Sequence, residues 1–505
     1  MILERLWRWR VALMATVVGV LAAVMRFASL GEPTDLVFDE VFYARGGYSL
    51  VELGFEGEWG GENQDFARGD LSQLTDEGDF VVHPNTGKLL IGLGMKMFGV
   101  TPFGWRFFAA LFGVAACVIL AFTARRLFRS TIWGTVAGVL LAVDGEHVVL
   151  SRTALLDGFL TFFIIAGFAL LVVDRERTRE RLMAAAALDR AGLGGDPPPR
   201  LPGEGPNLGF RWWRLAAIVT LSLGVTVKWN GLYFMAAFLV LSVVFDWYDR
   251  RAAGYAQWFL GGFVRAIPAF LTTVVVLPLV YLASWIPWFT SENSWGRRWA
   301  EQNPGEGVTW LPESLRSLVH YHRQMWDFHK GLDTPHNYES NPWLWPFQWR
   351  PTAFYFEDAP DADCGAERCV SAIHAVGDPL VWWVGFAVLL YALWRVVRHR
   401  DMLALTLAVG YLAAWVTWLP FAHRTIFTFY TVTLAPFVVL LVVWMLQRVA
   451  QPPRLDGAWS PRGLAIAGTY VGLVLVLAGF FAPVWVGDAI PFQYWQAHMW
   501  LPSWI

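Results

Sequence analysis

Apolar residues in this chain come in long unbroken runs, not in the alternation of a half-buried strand or the single stripe of a surface helix. Eleven runs lie near 11–30, 103–128, 131–149, 154–173, 213–228, 230–246, 267–289, 379–396, 402–418, 426–446 and 464–487. A helix of about twenty apolar residues crosses the hydrocarbon core. Lipid offers the backbone no hydrogen-bond partner, so helix is the form such runs take. The pattern predicts an all-α polytopic membrane protein, one domain over 1–505 with about 11 transmembrane helices. Two long polar segments, 31–102 and 290–378, interrupt the runs. A shorter one, 174–212, contains GLGGDPPPRLPGEGP, whose composition predicts a flexible linker. The first run follows MILERLWRWR, is too long for a signal-peptide core and lacks a small-residue cleavage site, so it is expected to remain as an anchor. No internal repeat of the kind found in inverted-repeat transporters is present.

Composition agrees. Of 505 residues, 56% are hydrophobic and 16% charged; soluble domains run at about 45–50% and about 25%. The net charge of −2 gives no footprint for nucleic acid. The placement of basic residues is more informative, because short cytoplasmic loops collect Lys and Arg. With the N-terminus inside, the cytoplasmic segments hold 23 of the 39, including Arg125, Arg126, Arg129, Arg395, Arg398, Arg400, Arg448, Arg454 and Arg462. The 174–212 segment is then cytoplasmic, and the two long segments and the C-terminus are external. Cys364 and Cys369 flank GAER in the second long segment. Two cysteines cannot build a four-ligand zinc site. In an external segment a disulfide is the expected state, with two free thiols as the alternative.

Several charges sit where charges are expensive. Arg106, Arg152, Lys228 and Arg424 each stand at the outer end of a predicted span, and Asp157 follows Arg152 by five residues. An ionised side chain deep in lipid costs at least about 2.5–3.5 kcal/mol and commonly marks function; snorkelling to the interface is the plainer alternative. Four such cations at one face point to a shared anionic site. Asp39 and Glu40 share that face, set between Phe38 and Phe42 in DLVFDEVFYARG. Neighbours on a helix point about 100° apart, so the two carboxylates are not expected to work as one dyad. His83 and Lys88 follow in VVHPNTGKLLIGLG. His320, His322, His329 and His336 raise the question of metal, but their spacing forms no compact ligand set. Trp343, Trp345 and Trp349 read as an aromatic segment at the membrane surface, able to stack on a sugar. A carboxylate beside cations can act as general base while the cations stabilise a leaving anion. That combination suits group transfer from a lipid phosphate. No acidic metal site of the kind that serves nucleotide-sugar donors is visible.

These residues carry a resemblance. VFDEVFYA (37–44), HPNTGKLLIGLG (83–94), GWRFFAALFG (104–113), LSRTALLDGFLTFF (150–163), VKWNGLYF (227–234) and HNYESNPWLWP (336–346) resemble, in order, the motifs of the protein O-mannosyltransferases in their short actinobacterial form. HPNTGK departs from the family's commoner HPPLGK, and the soluble insert of the eukaryotic members has no counterpart. The resemblance implies a GT-C glycosyltransferase fold. It implies inverting transfer of mannose from a polyprenyl monophosphate to Ser or Thr hydroxyls of secreted, unfolded protein, at the outer face of the plasma membrane. Asp39 matches the family's catalytic base, Glu40 its acceptor-placing partner and Arg106 its arginine near the donor phosphate. By side and charge, His83, Lys88, Arg152, Asp157, Lys228, His336 and Arg424 are added to the expected donor site. No cofactor is expected and help from a divalent ion is left open. Acceptors emerging from the secretion channel would suit an external site. A lipid-linked-sugar transferase acting on an envelope glycan is the alternative, and an anion transporter a remote one.

Overall fold

The computed structural model describes residues 2–193, 200–452 and 457–505; Arg454 and the centre of the expected linker, 194–199, lie outside the described residues. Helix α1 (Ile2–Phe27) leads into α2 (Glu40–Glu52), strand β1 (Gly57–Trp59), α3 (Asn63–Ala67), β2 (Leu74–Gly78) and α4 (Thr86–Phe98). Then come α5 (Pro102–Phe128), α6 (Thr131–Ala142), α7 (Gly145–Leu150), α8 (Leu156–Gly192), α9 (Trp212–Val225), α10 (Gly231–Ala253) and α11 (Trp258–Ser284). The second long segment holds α12 (Ile286–Thr290), α13 (Trp299–Gln302), α14 (Glu313–Gly331), a 3₁₀ turn at Pro342–Phe347, β3 (Thr352–Asp358) and β4 (Cys369–Ala375). The chain closes with α15 (Pro379–His399), α16 (Met402–Trp415), a 3₁₀ turn at Thr428–Thr433, α17 (Ala435–Ala450), α18 (Pro461–Val486), β5 (Ala489–Pro491) and α19 (Phe492–Ala497). The strands form an antiparallel pair, β1–β2, and an antiparallel β3–β4–β5 sheet.

Among the described residues, eight helices are long and apolar enough to cross a membrane. The runs predicted at 131–149, 213–228 and 426–446 become the shorter apolar helices α6, α9 and α17. Polar residues explain two of the breaks. Asp144 stops the 131–149 run by capping α7, its carboxylate accepting from the His147 amide at 3.1 Å. Thr428–Thr433 turns as 3₁₀ before α17 begins. The expected linker is corrected over 174–192, which continues α8 to 37 residues. Its helix-favouring MAAAALDR stretch is fastened at its end, where Asp189 accepts from the Tyr255 hydroxyl at 2.7 Å and Arg190 donates to the Ala253 carbonyl at 2.6 Å.

The core sits between α5, α8 and α17, and Val438 to Val443 are at most 1% exposed. At the other extreme, α11 buries only Gly261, Gly262 and Ala269 and turns Phe263, Phe270, Val275 and Leu279 outward. A helix this apolar on its open side faces lipid. α2 and α4 touch backbone to backbone. A Cβ at Gly47 would lie 2.7 Å from the Lys88 carbonyl, and one at Gly92 would strike the Gly47 carbonyl. Only glycines permit that crossing. It seats α2, and the residues before it, against the start of α5, where Arg106 bonds Glu40.

Candidate active site

Expected site residues come together at one end of the bundle, where α1, α9 and α11 finish and α5, α8 and α10 begin. Asp39 occupies the N-cap of α2, yet its carboxylate makes no cap hydrogen bond and, among the described residues, no ion pair. It is half-buried. Burial pushes it up to about 6, with Lys228 pulling it down and Asp157 pushing it further up. Phe38, just before it, has φ +47°, a left-handed conformation costly for a non-glycine residue. Aromatic packing holds it there. Phe38 stacks on Phe354 at 4.8 Å and meets Phe427, Phe429 and His336 edge-on at 5.7, 5.4 and 6.2 Å. The kink turns the chain so that Glu40 points inward and Asp39 does not.

Glu40 is fully buried and accepts four hydrogen bonds: from Arg106 Nε at 2.9 Å and a terminal Arg106 nitrogen at 2.8 Å, from the Val37 amide at 3.0 Å and from the Ala154 amide at 2.8 Å. Arg106 gives its remaining donors to the carbonyls of Leu30, Pro33 and Asp35. All five guanidinium N–H groups are thus engaged and the side chain is 1% exposed. Arg106, expected near the donor phosphate, and Glu40, expected beside the acceptor, are here bonded to each other and to the backbone around them. They form a frame that holds the 30–40 turn.

The other expected cations divide in the same way. Arg152 spends its donors on the carbonyls of Met25, Arg26, Ala28 and Ser29, closing the end of α1. Lys88 is buried against Glu56 and bonds the His83 carbonyl. Lys228 bonds both oxygens of Asp157, at 3.0 and 2.9 Å, and sits 4.2 Å from the Tyr430 ring centre. Arg424 is different. It is half-buried, has no carboxylate partner among the described residues, and its Nε is a buried donor without an acceptor. Its charge reaches His83, His329 and Tyr430. His83 packs at 5.1 Å from His329 and 6.2 Å from Tyr43. Burial, with Lys228, His329, Lys88 and Arg424 nearby, holds His83 well below the usual histidine range, so it is neutral at pH 7. His336 is exposed beside Phe427 at 5.0 Å.

Of the remaining histidines, His320 stacks on Trp299 at 3.9 Å and His322 meets the Tyr281 hydroxyl at 2.8 Å. The aromatic segment forms the 342–347 turn, with Trp345 buried and Trp343 and Trp349 exposed. Cys364 and Cys369 are joined as a disulfide with Cα atoms 5.9 Å apart. Tyr43, Tyr430 and Phe38 also pack at the site, though no role was expected for them. For Phe38 and Tyr43 the signal was their place beside the two acids.

Known proteins resemble this chain in sequence and fold. Residues 95–192 match the family model described as dolichyl-phosphate-mannose-protein mannosyltransferase, and 314–504 that of the C-terminal four-helix region of protein O-mannosyltransferase. The chain is 37% identical to a polyprenol-phosphate-mannose–protein mannosyltransferase of Mycobacterium tuberculosis, over 99% of this chain and 93% of that one. It is 32% identical to the protein of the same name in Corynebacterium glutamicum, over 97% and 92%. Its fold matches the Saccharomyces cerevisiae protein O-mannosyltransferase Pmt1-Pmt2 complex bound to the sugar donor, with TM-score 0.73 at 14% identity, over 98% of this chain and 93% of that one. An Archaeoglobus fulgidus oligosaccharyltransferase is a more distant match, with TM-score 0.51 at 11% identity, over 97% and 58%. The fold is that of the GT-C membrane glycosyltransferases, and the chain belongs to the protein O-mannosyltransferase family.

Proposed function

We propose that this protein transfers mannose from a polyprenyl monophosphate to Ser or Thr hydroxyls of unfolded secretory protein, with inversion. The observation that carries this reading is Asp39, a carboxylate without an ion-pair partner among the described residues, sharing one site with Lys228 and with Arg424, whose Nε has no acceptor there. Asp39 accepts the proton of the acceptor hydroxyl as its oxygen bonds to the anomeric carbon. The bond from that carbon to the phosphate oxygen breaks on the opposite side and polyprenyl phosphate leaves. Arg424, with a planar fork suited to phosphate, and Lys228 stabilise the leaving charge. A monophosphate asks for no more than such a pair. Glu40 and Arg106 position Asp39 and do not touch substrate.

Two features support an external site. The arginine-rich loops lie at the end of the bundle away from Asp39, and the Cys364–Cys369 disulfide lies at the Asp39 end. The acceptor class is tested by offering labelled donor to a Thr-rich peptide and to envelope glycan together. Label on the peptide supports the reading; label confined to glycan or lipid overturns the acceptor and keeps the fold.

Arg424→Ala should reduce turnover at limiting donor by about 10- to 100-fold, the range of one charge-assisted hydrogen bond worth about 1.5–3 kcal/mol. Arg424→Lys should restore part of it, as steady-state kinetics against donor concentration would show. The base must be ionised to work, so the rate should rise with pH through a midpoint near 6 and fall away below it. Asp157→Asn removes a negative neighbour and frees Lys228, both of which favour ionised Asp39; the midpoint should move to lower pH. A profile fixed in both proteins would remove Asp39 as the titrating base.

A further inference from the structure

At the opposite end of the bundle lies a cavity of about 1160 Å³, walled by the start of α1, the end of α5, the start of α6 and the end of α17. Five arginines line it, Arg10, Arg125, Arg126, Arg129 and Arg448, against one acid, Glu176. Glu176 is taken by Arg126 at 2.5 Å. Arg125, Arg129 and Arg448 have no carboxylate partner among the described residues. Arg448 lies 5.3 Å from the Trp444 ring centre, which fixes its height in the wall. The far wall is built as well. Trp133 bonds Gln451 at 3.1 Å and stacks on Trp459 at 5.8 Å, and Gln447 bonds the Phe128 carbonyl at 3.1 Å.

The cavity does not end in water on every side. It is continuous with the outward faces of α1 and α6, where Leu13 is 52% exposed, Val17 42% and Ile132 57%. Those residues lie within or beside the span, so acyl chains reach them and soluble anions do not. A ligand matching both parts has an anionic phosphate head and two apolar tails.

We infer that this cavity is a binding site for an anionic phospholipid of the leaflet facing away from Asp39. Arg125, Arg129 and Arg448 take the phosphate-bearing head, and Leu13, Val17 and Ile132 take the first stretch of the chains. It uses none of the residues of the Asp39 site, so it stands or falls independently of the proposed transfer reaction.

The test is thermal unfolding of the full-length protein in detergent, titrated with short-chain phosphatidylglycerol. Phosphatidylcholine of the same chains, glycerol 3-phosphate and inorganic phosphate serve as comparisons. Phosphatidylglycerol should raise Tm in wild type and in Asp39→Asn alike, with little response to the other three. The triple variant Arg125→Gln, Arg129→Gln, Arg448→Gln should bind roughly 100-fold more weakly, about fivefold for each charge removed near the surface. Should the triple variant fold poorly, the single variants Arg129→Gln and Arg448→Gln should each show the fivefold loss. Equal stabilisation by phosphatidylcholine would overturn the charge argument. Equal stabilisation by glycerol 3-phosphate or phosphate would make the occupant a soluble anion. An unchanged phosphatidylglycerol response in the arginine variants would place the lipid elsewhere.

Discussion

Asp39→Asn should give a folded, membrane-inserted protein that transfers mannose about 10²–10⁴-fold more slowly than wild type, the usual contribution of a positioned general base. The substitution keeps shape and removes only basicity. Among the described residues the Asp39 carboxylate makes no hydrogen bond or ion pair that the amide would break, so unfolding should change by less than about 0.5 kcal/mol. The stronger loss within that range is expected, because nothing near Asp39 can replace it. Glu40 is turned away and saturated by four donors, and Asp157 is committed to Lys228. Initial rates at saturating donor, paired with a melting curve, separate lost chemistry from lost structure. Full activity in this variant would end the assignment.

Arg106→Ala should behave in the opposite way, losing structure first. Arg106 joins Glu40 to the carbonyls of Leu30, Pro33 and Asp35, and all of these are left facing a cavity when it is removed. Breaking one half of a buried ion pair costs about 3–5 kcal/mol, because the remaining charge is stranded. The loss should appear as a large drop in Tm, with activity falling because the turn carrying Asp39 is no longer held. Replacing both partners, Glu40→Leu with Arg106→Met, should recover part of the stability, since no buried charge is then left unpaired. It should recover little activity. If Arg106 were instead a phosphate ligand, Arg106→Ala would keep its Tm and lose donor affinity.

That contrast shows what a sequence can and cannot disclose. Long apolar runs announced the helices, because lipid leaves the backbone one solution, and eight of those helices are long and apolar enough to span. The polar interruptions inside two other runs, Asp144 and the 428–433 turn, were too short to register against their apolar surroundings. The 174–192 segment looked like linker because its Gly- and Pro-rich neighbour dominated the composition, while its own residues favour helix. At the site, the charged residues were legible as charges out of place. Their partners were not. Arg106 finds Glu40 across 66 positions, Lys228 finds Asp157 across 71, and Arg152 is satisfied by backbone carbonyls that no side-chain pattern records. Which cations are spent and which remain free is a property of the fold. Arg424 keeps a buried Nε without an acceptor among the described residues, while Arg106 and Arg152 are bonded within the protein. Phe38 could not be read either, since its left-handed backbone is imposed by Phe354, Phe427 and Phe429 from the far end of the chain.

The central claim is direct transfer from lipid phosphate to a protein hydroxyl with Asp39 as base, and the anomeric configuration of the product tests it most directly. Purified protein would be given polyprenyl phosphate mannose of defined configuration and a Thr-containing peptide, and the mannosyl peptide read by proton NMR. The account predicts mannose on the threonine oxygen with its configuration inverted relative to the donor. Retained configuration would require a covalent mannosyl-enzyme intermediate and would contradict it.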